Sequence, residues 1–181
     1  MPLNVLTRSD APVIIVLASD PAVMVANSEE ELARYQGHGH GDKLVIPADA
    51  ARIGVRALSQ VEMNEATEEA TRDHPGIELR AMRAYSHADD AGELTEEDFS
   101  SMQEFAAFRT KKELALIKRG LVSIDGEKVG EDGWRIFAPE SEEGIYPMSK
   151  RGEMMAELAA HIKRLSDLGP LGESRYSLRF G

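Results

Sequence analysis

Three observations predict an α+β fold. Short β-branched runs occupy the first third of the chain, and capping signals open long amphipathic segments in the remainder. A turn-forming Asp125-Gly126 pair sits between two further apolar runs. The predicted arrangement is a β-rich N-terminal part, residues 1–58, then a mainly helical part with a small hairpin, residues 59–170. A C-terminal docking tail, residues 171–181, completes it.

Val13 to Leu17 is short, apolar and flanked by Pro12 and Asp20-Pro21, which reads as a buried strand. Pro21 to Asn27 is expected as a second extended piece. Ser28-Glu-Glu-Glu31 has capping-box spacing and predicts a short helix that stops near Gly37. Three glycines within Gly37-His-Gly-His-Gly41 make regular structure expensive and predict a loop. Lys43 to Ile46 and Arg52 to Leu58 are expected as strands, the second with Ile53, Val55 and Ala57 on one face.

Ser59-Gln-Val-Glu62 is another capping box and predicts a helix from about Gln60 to Arg72, ended by His74-Pro75-Gly76. Ala88 to Asp98 holds six acids and no base and is expected as a solvated linker. Thr95-Glu-Glu-Asp98 puts a capping hydroxyl before acids that favour a helix N-terminus. That helix should run to Arg119, with Gly120 as a left-handed cap and Phe99, Met102, Ala106 and Leu114 in the core. Leu121 to Ile124 and Trp134 to Phe137 are the expected hairpin strands. Ser149 should cap a final helix to about Leu168, closed by Gly169-Pro170, with Met155, Leu158, Ile162 and Leu165 as one apolar stripe.

With 42% hydrophobic and 29% charged residues in 181, the composition is globular, and a chain of this length suits one domain. There is no cysteine, hence no disulfide, thiolate ligand or thiol nucleophile. No apolar run is long enough to span a bilayer, and no signal-peptide pattern opens the sequence, so a soluble protein is expected. Net charge is −11, unevenly spread: from Pro147 on, six bases outnumber four acids by two, which leaves −13 on the first 146 residues. Such a body lacks the basic footprint that nucleic acid requires and would be repelled by anionic lipid.

Little here points to catalysis. His38, His40 and Asp42 could reach one metal, but their glycine neighbours cannot hold ligands rigidly, so no metal is expected. Glu62, Glu65, Glu68 and Glu69 crowd one helix; paired carboxylates do acid–base work only where burial separates their affinities for protons. His74, His87 and His161 are scattered. No serine sits in a nucleophile elbow, and the glycine-rich loop leads into an expected strand rather than a helix. Neither an enzyme nor a cofactor is expected.

Three stretches carry a resemblance. Ile53-Gly-Val-Arg-Ala-Leu-Ser59, leading into Gln60-Val-Glu-Met, resembles a strand-to-acidic-helix segment of small tailed-bacteriophage proteins. Lys118-Arg-Gly-Leu-Val-Ser-Ile-Asp-Gly126 and the segment from Met155 to Leu168 are similar to the helix end and closing helix of the same proteins. Over roughly residues 52–168 the chain resembles the tail-assembly chaperone-like and head–tail structural protein family. The resemblance implies a non-enzymatic structural or assembly protein of the head–tail or tail module. Its partners would be copies of itself and other phage structural proteins, in the host cytoplasm during assembly and then in the virion. The alternatives are a tail-assembly chaperone absent from the mature particle and an acidic host-directed inhibitor that mimics DNA. The tail departs from the chaperone pattern: Arg175, Tyr176, Leu178, Arg179 and Phe180 combine apolar alternation with positive charge and are the expected partner-binding residues, either frayed or added as a strand to a neighbour's sheet.

Overall fold

The computed structural model describes residues 12–37, 44–89, 94–138 and 148–177. Four short strands, β1 (Val13–Ile15), β2 (Ile53–Val55), β3 (Leu121–Ile124) and β4 (Glu127–Lys128), form one antiparallel sheet in the order β1-β2-β3-β4. Around it lie α1 (Pro21–Ala26), α2 (Glu29–Gly37), α3 (Gln60–Thr71), α4 (Ile77–Asp89), α5 (Glu96–Gly120) and α6 (Met148–Ser177). The class is α+β. The strands are not gathered in the N-terminal part, however: Ile53 of β2 faces Ile124 of β3, so the sheet joins segments on both sides of residue 58.

Two expected strands of that N-terminal part are replaced by other structure. Pro21–Ala26 is helical, because Asp20 accepts the Ala22 N–H at 2.9 Å and Pro21 stands at the first turn, where its missing N–H costs nothing. Leu44 to Ile46 is not a strand. Instead, the Asn27 side chain brackets Val45, accepting its N–H and donating to its carbonyl, both at 2.8 Å. A buried side-chain amide thus does for one peptide what a neighbouring strand would have done.

Three of the four expected helix caps form. Ser28 and Glu31, Ser59 and Glu62, and Thr95 and Asp98 each form the reciprocal pair of hydrogen bonds at the start of α2, α3 and α5. Between α3 and α5 lies α4, which the sequence reading left unassigned. It takes up the start of the expected acidic linker, and Glu96 to Asp98 form the first turn of α5. Its buried face is Ile77, Ala81 and Ala84, and the alanines give hydrophobic periodicity a weak signal.

α5 has its expected bounds but a different buried face. Phe99 is 53% exposed, Ala106 is exposed, and Met102 and Leu114 are half-buried; Phe108 and Ala115 to Ile117 fill the core instead. Gly120 does not adopt a left-handed conformation. A Cβ there would meet the Ile162 side chain at 2.7–3.0 Å, so glycine is required by the close approach of α6. The hairpin turns at Asp125-Gly126, both at positive φ (51° and 83°) as a type I′ turn demands. Its second strand is Glu127–Lys128, while Gly133–Phe137 forms a 3₁₀ turn that buries Phe137.

The apolar stripe of α6 is as read: Met155, Leu158, Ile162 and Leu165 are all buried, against Ile15, Ile53, Val55 and Ile117 of the main core. α6 starts at Met148, so Ser149 lies inside it, and it continues through Gly169-Pro170 to Ser177. A smaller cluster, Ala70, Ile77 and Phe108 with Phe105 against it, lies between α3, α4 and α5. Among the described residues no helix is long and apolar enough to cross a membrane.

Candidate functional site

A buried polar cluster lies where the β1–α1 turn meets α6. Glu157 projects from α6 and accepts the backbone N–H groups of Ala18 at 2.7 Å and Ser19 at 2.9 Å, and the Ser19 hydroxyl at 2.5 Å. One turn further on, His161 Nε2 stands 3.7 Å from its other oxygen. Burial pushes the Glu157 carboxyl up, but the hydrogen bonds from His161, Ser19 and the two amides outweigh it and hold the group below its ordinary value. It is an ionised strut between turn and helix. The order Ser–Glu–His is not a nucleophilic relay, which needs the imidazole between hydroxyl and carboxylate.

Beside this strut opens a cleft of about 390 Å³. Met24, Leu32 and Ala33 supply its apolar wall, and Glu29, Glu153 and Glu157 its charge. Glu153 also pairs with Lys150 at 3.3 Å in an exposed contact. Apolar surface rimmed by carboxylates suits a cationic group on an apolar body. The sequence reading missed this site, because it is assembled from segments more than 100 residues apart.

The other candidates resolve differently. Glu62 binds Arg56 at 2.6 Å and both groups of Ser59, and its pKa falls from 4.5 to about 2, chiefly through the Arg56 bond. Glu69 pairs with Arg119 at 2.8 Å, with Glu65 3.9 Å from the same guanidinium, so these acids join α3 to β2 and α5. His74 meets Glu104 at 3.3 Å and His87 meets Asp98 at 3.1 Å, fastening both ends of α4 to α5. His38, His40 and Asp42 lie outside the described residues; among those described, no three His, Asp or Glu are placed to hold a metal.

Of the expected partner-binding residues, Arg175 and Tyr176 lie in the last turn of α6, where a helix replaces the expected frayed or extended tail; Leu178, Arg179 and Phe180 lie outside the described residues. No family model, curated protein or solved structure matches the chain.

Proposed function

We propose that this chain is a non-enzymatic structural or assembly protein that works through repeated protein–protein contacts, in the head–tail or tail module of a tailed bacteriophage. The observation that carries the reading is exposed apolar surface on ordered elements. Leu79, Met82 and Tyr85 recur every three residues along one side of α4, at 64%, 67% and 48% exposure. Val25, Val45 and Ile46 are exposed as well, with the Val45 peptide fixed by the Asn27 bracket. Large apolar side chains grouped on rigid elements mark contact surfaces rather than solvated ones. The resemblance over residues 52–168 supplies the phage context.

The pairing of acids weighs against the DNA-mimic alternative. Glu62, Glu69, Glu104 and Asp73 each hold an Arg or Lys of this chain at 2.6–2.8 Å, which takes them out of any free row of phosphate-like charge. Mass spectrometry of purified particles tests the reading. A fixed copy number per particle is expected. Presence in assembling cells but not in particles would favour the chaperone alternative.

A further inference from the structure

We infer that the cleft between α2 and the start of α6 receives the basic, apolar segment Arg175–Phe180 of a second copy, so that copies join head to tail. This deepens the proposed function and rests on its claim of repeated self-contact.

The first support is chemical complementarity. The cleft presents three carboxylates, Glu29, Glu153 and Glu157, over an apolar wall of Met24, Leu32 and Ala33, and no Lys or Arg is among the described residues that line it. The segment presents two guanidiniums, Arg175 and Arg179, among Tyr176, Leu178 and Phe180. It lies in the last 35 residues, which carry a net charge of +2, while the first 146, which supply the α2 side of the cleft, carry −13. Glu157 is committed to the Ala18–Ser19 turn, so Glu29 and Glu153, both exposed, are the acids free to exchange partners. The Lys150 contact of Glu153 is a solvent-exposed pair, of a kind typically worth under about 1 kcal/mol and readily displaced.

The second support is reach. Glu153 and Ser177 stand on the same helix, 24 residues apart, which at 1.5 Å per residue is about 36 Å. Phe180 lies three residues beyond Ser177 and extends the chain by roughly 11 Å at most. A chain therefore cannot place this segment in its own cleft, and the occupant has to come from another molecule. Cleft and segment are different surfaces, so the contact is heterologous and, unless two copies exchange segments reciprocally, propagates into a closed ring or an open filament.

The cysteine-free sequence allows a direct test with the full chain. One preparation carries Ala33→Cys in the cleft wall and a second carries Phe180→Cys; they are mixed, oxidised and resolved on non-reducing gels, with sedimentation velocity run in parallel on the unmodified chain. The expected result is a mixed dimer crosslinked between the two sites. Glu29→Lys with Glu153→Lys should cut its yield at least ten-fold, and mixing that cleft variant with an Arg175→Glu, Arg179→Glu chain should restore it. Raising salt from 50 to 500 mM should weaken association several-fold, since the paired charges are exposed. Self-association that ignores cleft reversal would overturn the cleft as receptor and leave repeated self-contact standing. A chain carrying both cysteines that closes on itself at high dilution would overturn the head-to-tail geometry. A chain that stays monomeric up to high concentration would overturn this inference together with the self-contact on which it rests.

Discussion

Gly120 shows how one missing methyl sets the architecture at the residue scale. Its carbonyl accepts the Arg56 N–H at 2.9 Å, while its Cα face receives Ile162 of α6, so helix, sheet and closing helix converge on one position. Gly120→Ala is expected to lose about 1–3 kcal/mol in urea denaturation, because Ile162 is fully buried and has nowhere to move. The sequence made this glycine conspicuous but could not say why it was there: a helix-ending glycine looks the same whether it frees a dihedral angle or admits a neighbour. Glu62 offers a second test at this scale. Its folded pKa of about 2 lies below the ordinary 4.5, so its ionised form stabilises the fold above pH 4.5, and that contribution fades as pH falls from 4.5 towards 2. Glu62→Gln should reduce the loss of melting temperature across that window, while lowering stability near neutrality.

Elements were legible where their signals were local. Serine or threonine with an acid three residues on marked the starts of α2, α3 and α5, and Asp125-Gly126 marked the hairpin, because the hydrogen bonds and dihedrals concerned involve residues close in sequence. Faces were legible only when large side chains outlined them. The α6 stripe of Leu, Ile and Met was correct, whereas the α5 face was misread: its aromatic residues are split between core and surface. This reverses the expectation for Phe99. Phe99→Ala should change stability by less than about 1 kcal/mol, and Phe108→Ala should cost about 3–5 kcal/mol, since only the latter leaves a cavity. Equal effects in thermal denaturation would contradict the buried face described for α5. The cleft was illegible for a related reason. Glu157 looks like any helical glutamate until Ala18 and Ser19, some 138 residues earlier, turn their N–H groups towards it.

At the scale of the whole molecule, the sheet decides how the chain can be divided. Composition suggests a break after residue 58, where apolar strands give way to capped helices. Yet β2 reaches its second neighbour only across that break, pairing Ile53, Gly54 and Val55 with Ile124, Ser123 and Leu121. The main core likewise takes Ile15, Leu17, Ile53 and Val55 from one side and Ile117, Met154, Leu158 and Ile162 from the other. Gly54 records how tight the join is, for a Cβ there would collide with the Ser123 hydroxyl. Strands of three residues have no stability of their own, since an isolated two-stranded pair is marginal in water even when longer. Separate expression of residues 1–58 and 59–181 should therefore yield an unfolded first fragment and a second that exposes its core to hydrophobic dyes. Mixing them should recover helical circular dichroism and cooperative melting, because each supplies the missing face of one sheet and one core. Two independently cooperative fragments that gained nothing on mixing would show that the break in composition is also a break in folding.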